Sequence, residues 1–186
     1  MLSPPQDTLR RKTQASRPIT DRVKESLFSV LYNKYGLPNG RMVADLFCGV
    51  GSLGLEALSR GAEFVTFVEK YPKIIAILEK NIEKAGFVKE SKIIRADAFK
   101  IGAPVDQQKY TIVFVDPPYS TTQETAEGSL LSELLNILQR QLAPDGIVIV
   151  RTDRQTELSE QYGQLETIER RRWGTMAVTI LQHRSK

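Results

Sequence analysis

Four residues in the second half of the chain, Asp116-Pro117-Pro118-Tyr119, have the most definite chemistry. Two consecutive prolines fix φ and remove two N–H donors, so the backbone carbonyls near the turn stay available as acceptors. Asp116 adds a carboxylate acceptor and Tyr119 a flat face for stacking. Such a set suits a planar ring that carries an exocyclic amino group. The acceptors hold its two hydrogens while the nitrogen lone pair turns toward an electrophile. With no ligand, the same four residues would be only a rigid turn.

A second grouping lies upstream. In Val43-Ala44-Asp45-Leu46-Phe47-Cys48-Gly49-Val50-Gly51-Ser52-Leu53-Gly54 a short apolar run ends in an acid, and glycines follow at G-x-G-x-x-G spacing. A helical pattern starts at once. Glycines let backbone approach a ligand with no Cβ in the way, and a helix start offers unpaired N–H groups and a positive dipole end, so this is a cofactor cradle. The spacing alone also occurs in ordinary turns; the strand before it and the helix after it carry the functional reading.

Both groupings need a frame that brings them together. Apolar runs at 42–47, 64–69, 92–96, 110–115 and 146–151 read as strands, and helical patterns at 52–60, 72–85, 97–101 and 125–142 separate them. That alternation predicts an α/β fold with a parallel sheet covered on both faces. Ahead of it, Val23, Leu27, Val30 and Leu31 repeat at helical spacing, so residues 21–34 form an amphipathic helix capped by Thr20 or Asp21 and ended by Gly36 and Pro38. After it, a short helix near 154–161 and an antiparallel hairpin, 164–173 with 175–183 around Gly174, close the chain. The whole reads as one domain of 186 residues: an arm over 1–16, a helical segment over 17–41, and the sheet over 42–186.

In an open parallel sheet, ligands sit beyond the carboxyl ends of the strands, where strand order reverses. The predicted strands end in Asp45, Glu69, Asp97-Ala98 and Asp116, so four acidic residues point into one crevice. Glu69 follows Gly54 at about the place where an acid grips a ribose diol. Asp97 suits an adenine amino group, and Asp45 either organises the glycine loop or meets an ammonium group. Each could instead be a helix cap or a solvated carboxylate. A dinucleotide needs a second mononucleotide-binding half, whereas here five parallel strands are followed by a hairpin. S-adenosylmethionine, with one nucleoside and an amino acid, matches the space.

The bulk numbers narrow the class further. The net charge is +4, and it is unevenly placed. Residues 1–34 carry seven Lys/Arg against three Asp/Glu, residues 35–150 twelve against fourteen, and residues 151–186 seven against five. Two basic ends flank an acidic middle, as a plain solvated surface or as a face for a polyanion. Cys48 is the only cysteine, which excludes an internal disulfide and fits a reducing compartment. It lies in the cofactor loop, so a nucleophilic role is not expected. His183, the only histidine, reads as structural or exposed. No Cys/His/Asp/Glu cluster has metal-ligand spacing, and no run approaches the ~20 apolar residues of a membrane span. A cytoplasmic protein without metal is expected.

The set D-L-F-C-G-V-G-S-L-G-L-E-A-L-S-R-G-A, F-V-E, R-A-D-A and F-V-D-P-P-Y, with R-P-I-T-D-R-V-K-E-S-L-F ahead of the first strand, resembles the RsmD family over about residues 17–183. These are bacterial 16S ribosomal RNA guanine-N2 methyltransferases that use S-adenosylmethionine. The resemblance implies a Rossmann-like class I methyltransferase fold with a seven-stranded, mostly parallel sheet whose last two strands are the hairpin. Carried over by position, Asp45, Phe47, Gly49, Gly51, Glu69, Asp97 and Ala98 would bind the cofactor, and Asp116, Pro117 and Tyr119 would receive the guanine. Arg17, Thr20, Asp21 and Arg22 would close the pocket, while the charge map, apart from the resemblance, offers Arg10, Arg11, Lys12 and Arg171 as residues that face RNA. The implied partner is 16S rRNA, within the small ribosomal subunit or its assembly intermediate, met by a monomer. One departure stands out. Family members usually begin with a longer basic hairpin, R-x-I-x-G-x-x-R-G-R, and here only Leu9-Arg10-Arg11-Lys12 remains.

Rival readings are a DNA amino-methyltransferase, a protein-glutamine methyltransferase and a non-enzymatic nucleotide-binding module. The DNA enzymes usually carry a recognition insert too large for 186 residues, the glutamine enzymes generally have Asn at the place of Asp116, and a binding module has no need of D-P-P-Y. If the basic ends neutralise phosphates, RNA affinity falls steeply with salt. Reversing the charges of Arg10, Arg11 and Lys12 should then lower the slope of log K against log salt by roughly 0.7–0.9 per lost contact. A titration in which this variant keeps the wild-type slope removes the arm from the RNA face.

Overall fold

The Thr20 hydroxyl accepts the Val23 N–H at 3.4 Å and opens α1, which runs over Asp21–Tyr35. Gly36, at φ 63°, ends it by returning its N–H to the Tyr32 carbonyl. The structure, a computed structural model, describes residues 19–36, 38–106 and 108–184. The predicted arm, with Arg10, Arg11 and Lys12, and Arg17 lie outside the described residues.

From there strands and helices alternate: β1 Met42–Leu46, α2 Ser52–Ser59, β2 Phe64–Glu69, α3 Pro72–Ala85, β3 Ser91–Arg95, α4 Ala98–Ile101, β4 Tyr110–Val115, α5 Leu130–Gln141 and β5 Leu142–Asp153. A two-residue β6, Gln161–Tyr162, precedes β7 Leu165–Trp173 and β8 Met176–His183. All of these strands lie in one sheet of order β3-β2-β1-β4-β5-β8-β7-β6. The first five are parallel and the last three join antiparallel. Strand order reverses between β1 and β4, where Asp45 pairs with Phe114 and Leu46 with Val115, so the two strands that carry the sequence groupings lie side by side.

Period-two alternation divides the core between the two faces. Val43, Val65, Phe67, Ile112, Phe114, Ile147, Ile149 and Val178 pack under α1, α2 and α3 through Leu27, Phe28, Leu55, Leu58, Leu78 and Ile82. Ala44, Leu46, Val68, Val113, Val115, Val148 and Val150 face the other way, against Leu131, Leu134, Leu135 and Leu138 of α5. Asp45 follows Ala44 on β1, and Arg151 follows Val150 on β5. Both therefore stand in the column of the α2 face, where apolar residues precede them.

Three expectations are corrected. The helix expected over 125–142 begins only at Leu130, because Gly128 takes φ 83° and the Ser129 hydroxyl caps the Ser132 N–H at 3.2 Å. No helix forms near 154–161. The Arg154 N–H reaches Thr175 across the sheet, the Asp153 carboxylate accepts the Gln155 N–H at 3.0 Å, and the Arg170 guanidinium takes the carbonyls of Arg154 and Thr156. Those carbonyls are the ones a helix would need. The chain leaves this loop as β6, an eighth strand where seven are expected, fixed by the buried Tyr162 whose hydroxyl donates to Thr125 O at 2.9 Å.

No helix among the described residues is long and apolar enough to cross a membrane. Phe28 is fully buried, with its ring 5.7 Å from that of Phe114, and ties α1 to the sheet. Phe28→Ala should cost about 3–5 kcal/mol, read as a lower urea midpoint at unchanged slope. An unaltered midpoint would mean that α1 is not part of the core.

Candidate active site

The glycine loop leaves β1 through Phe47, which takes φ 58°, a left-handed conformation that costs a non-glycine residue roughly 1–3 kcal/mol. It is held there from both sides: the Cys48 N–H reaches back to Val68 O at 3.2 Å, and the Phe47 ring packs on that of Phe99 with centroids 4.7 Å apart. The glycines have separate tasks. A Cβ on Gly51 would stand 2.5 Å from Leu78, and one on Gly54 2.3 Å from the Phe67 ring, so these two let α2 settle on the sheet. Gly49, at φ 56°, has open space where a Cβ would point. A ligand that approaches there meets bare backbone.

The strand-end acids divide by their partners. Asp45 is 1% exposed and accepts the Gly54 N–H at 2.8 Å. Burial, with the nearby charges of Asp116 and Glu69, pushes its carboxyl from 3.8 to about 8. Glu69 accepts three backbone N–H groups, from Gly49 at 3.1 Å, Lys70 at 2.9 Å and Tyr71 at 3.0 Å. One carboxylate thus clasps the glycine loop onto the end of β2 and keeps one lone pair for a further donor. Asp97 is the N-cap of α4, accepting from the Phe99 N–H at 3.1 Å, and pairs with Lys70 at 3.6 Å; Ala98 is buried beside it. These groups fit a nucleoside with a charged tail: backbone open at Gly49, an acceptor at Glu69, and a carboxyl at Asp45 that a cation would ionise.

Asp116 follows β4 directly. Its N–H reaches Leu46 O at 3.4 Å, and its Oδ1 accepts from Arg151 Nε at 2.6 Å. Burial pushes the Asp116 carboxyl up, and the Arg151 guanidinium pulls it back down, leaving it raised overall. Pro117 is buried and Pro118 exposed. The Pro118 carbonyl accepts both the N–H and the hydroxyl of Thr121, at 2.9 Å and 2.6 Å, so the turn itself occupies it. Among the described residues no donor reaches the Pro117 carbonyl, which remains the proline acceptor open to a ligand. The Tyr119 ring has the Arg151 guanidinium 5.8 Å from its centroid and borders an open cleft of about 470 Å³ shared with Gln123, Asp153, Gln155 and Thr156.

Thr20, Asp21 and Arg22 form the exposed start of α1, where Thr20 caps the helix and Asp21 pairs with Lys24 at 3.3 Å; no contact among the described residues joins them to Asp116. Arg171 bonds to Glu169 at 2.5 Å, and the same carboxylate takes Lys34 at 2.6 Å and the Tyr35 hydroxyl at 3.0 Å. Lys34 foremost lowers Glu169 to about 2. Arg171 therefore belongs to the knot that fastens α1 to β7. Arg170 and Arg172 turn to Glu157 instead. Cys48 is buried, which pushes its thiol well above its ordinary value and leaves it a poor nucleophile. Reading strand ends for acids alone passes over Arg151 and Phe99. Arg151, after Val148-Ile149-Val150, has the placement that marks Asp45 and Glu69, with opposite charge.

The sequence matches the family described as Conserved hypothetical protein 95 over residues 8–182. It is 33% identical over 172 residues to "Putative rRNA methyltransferase YlbH" of Bacillus subtilis, covering 91% of this chain and 89% of that protein. To Ribosomal RNA small subunit methyltransferase D of Haemophilus influenzae it is 32% identical over 148 residues, 78% of this chain and 72% of that one. Among solved structures it is similar to "Putative methyltransferase yhhF" of Escherichia coli, with a TM-score of 0.74 and 28% identity over 92% of this chain and 90% of the other.

The state of Asp45 makes stability depend on pH. With the folded carboxyl at about 8 and the free one at 3.8, the folded protein holds a proton that the unfolded chain releases, so this group's contribution falls as pH rises from about 4 to about 8. Asp45→Asn keeps an acceptor for the Gly54 N–H and removes the charge. Its melting temperature should exceed the wild-type value at pH 8 and match it near pH 4. An equal difference at both pH values would mean that Asp45 does not titrate in this window.

Proposed function

The chain belongs to the family described as Conserved hypothetical protein 95, the RsmD family of the sequence resemblance, and from that premise we propose that it methylates the exocyclic N2 of a guanine in 16S ribosomal RNA with S-adenosylmethionine as donor. The observation that carries this reading is the acceptor set at the reversal point of the sheet: the Asp116 carboxylate, the Pro117 carbonyl and the Tyr119 ring, one strand away from the glycine loop. It calls for a flat ring with an amino group, next to a site for a nucleoside cofactor.

Bound S-adenosylmethionine supplies an electrophilic methyl on a sulfonium. Glu69 would accept from a ribose hydroxyl, Asp45 would face the ammonium group, Asp97 and Ala98 would border the adenine, and Gly49, Gly51 and Phe47 would shape the floor. Asp116 and the Pro117 carbonyl hold the two hydrogens of guanine N2, which leaves its lone pair directed at the methyl carbon. Transfer of the methyl from sulfur to nitrogen would leave a thioether and a cationic nitrogen, whose proton Asp116 would take. Tyr119 stacks on a base drawn out of its helix, offsetting an unstacking cost of a few kcal/mol. Orientation is the main contribution of the protein, a factor that reaches ~7–11 kcal/mol for well-aligned reactants.

In this reading Arg17, Thr20, Asp21 and Arg22 would close the pocket on the base, and Arg10, Arg11 and Lys12 would neutralise phosphates. Arg171, held by Glu169, adds charge to that face. The substrate is 16S rRNA in the small subunit or its assembly intermediate, met in the cytoplasm by a monomer.

Asp116→Ala should leave cofactor affinity within about 1 kcal/mol and lower single-turnover methyl transfer by roughly 10²–10⁴-fold. Asp116→Asn separates orientation from proton acceptance, since the amide accepts a hydrogen bond but not a proton. The decisive measurement is the labelled nucleoside after incubation with labelled cofactor and ribosomal subunits. Any nucleoside other than N2-methylguanosine sinks the reading.

A further inference from the structure

Arg151 is the cation that meets Asp116 in the crevice, and the strand pattern does not call for it. On β5 its side alternates with Ile147 and Ile149, both buried, so an apolar residue would continue the core. Instead an arginine stands there with its side chain 4% exposed. A charge this deep is tolerated only with a partner, and replacing such pairs by apolar groups is often neutral or stabilising. Stability alone therefore gives no reason for it.

Its contacts do. Nε donates to Asp116 Oδ1 at 2.6 Å, and the guanidinium carbon lies 5.8 Å from the centre of the Tyr119 ring. Around Asp116 stand Arg151 from β5, Asp45 from β1 and Tyr119 on its own turn, with Glu69 from β2 acting on Asp45. We propose that Arg151 is the positioning residue of the acceptor site, one planar group that fixes both the carboxylate that receives the amino group and the ring on which the base stacks. The inference rests on the proposed methyl transfer to a planar amine.

Two consequences follow from the geometry. Oδ1 is occupied by Arg151, so Oδ2 is the oxygen that meets guanine, and the carboxylate cannot rotate away from it. The fixed positive charge also opposes the burial that raises the Asp116 carboxyl, and keeps Asp116 able to accept. Lysine cannot substitute. It keeps the charge but has neither the in-plane Nε–H that reaches Asp116 nor the planar guanidinium that stands 5.8 Å from the Tyr119 centroid.

The test uses the full chain with Arg151→Met and Arg151→Lys, assayed by single-turnover transfer to ribosomal subunits, with calorimetry of cofactor binding and carbon-13 NMR titration of the Asp116 carboxyl in the cofactor-free protein. Both variants should bind S-adenosylmethionine within about twofold of wild type. Arg151→Met should lose about 10²-fold in rate, the cost of misplacing reactants by about 1 Å, with a much smaller change in KM for RNA. Its rate should also fall more steeply toward low pH than that of wild type, because the Asp116 carboxyl, no longer pulled down by Arg151, titrates at higher pH. Arg151→Lys, which keeps the charge, should hold nearer to the wild-type pH profile than Arg151→Met and still lose rate, which a merely structural loss of charge would not produce. If Arg151→Met folds poorly, the Lys variant and its profile decide alone. A wild-type rate in the Lys variant, or an unmoved Asp116 titration in the Met variant, overturns the proposal. Absence of N2-methylguanosine with the wild-type protein overturns the function it rests on instead.

Discussion

Helix α2 lies closer to β2 than any side chain at Gly54 would permit, since a Cβ there would stand 2.3 Å from Phe67 and 2.9 Å from Val65. The rest of the crevice follows from that approach. The connection from β1 must be short and tight, which places Phe47, Gly49 and Gly51 at positive φ, and the Gly54 N–H is driven onto Asp45 below it. Asp45 loses its water by the same move, which is why its carboxyl rises. Glu69 then closes the loop from the β2 side with three backbone hydrogen bonds. The cradle is thus a packing solution first. Its openness at Gly49 is what remains once the space beside Gly51 and Gly54 has been filled by neighbours.

Much of this frame is legible in the sequence, because it depends on local pattern. The apolar runs that end in Asp45, Glu69 and Asp116 are strands with those ends, and α1, α2 and α3 begin where the sequence places their first turns. The less legible parts depend on partners far along the chain. The stretch after Asp153 has helical composition, yet Arg170 and Thr175 take its backbone groups from more than a dozen residues away. Arg151 is hidden for a similar reason: after an apolar run it reads as a solvated strand end, and only the sheet order that sets β5 beside β4 brings it to Asp116. Glu69 and Asp97 illustrate the intermediate case. Their position is plain in the sequence, but the backbone groups that they hold are not.

The Glu169 knot gives α1 a place in the same architecture. Lys34 and Tyr35 at its end share one carboxylate with Arg171, while Lys24 near its start meets Glu56 of α2 at 3.2 Å. Partly buried pairs of this kind hold orientation more than they add stability. Between them Leu27, Phe28 and Leu31 supply the apolar contact. The helix that precedes the sheet in sequence is therefore fastened at one end to α2 beside the glycine loop and at the other to the hairpin.

The hairpin has a bearing on how the molecule is made. β8, the last strand in sequence, is inserted between β5 and β7, and its Val178 pairs with Arg151. A chain emerging from its N-terminus carries β1 to β5 well before residues 176–183 exist, so β5 waits as an open edge with seven residues unpaired on one side. The strand that bears Arg151 gains its second neighbour only when synthesis reaches β8. The residues of the cofactor cradle, Asp45 to Phe99, all precede β5 in the chain, whereas the acceptor half is completed last, so the nucleoside half of the crevice is synthesised before the half that meets a base.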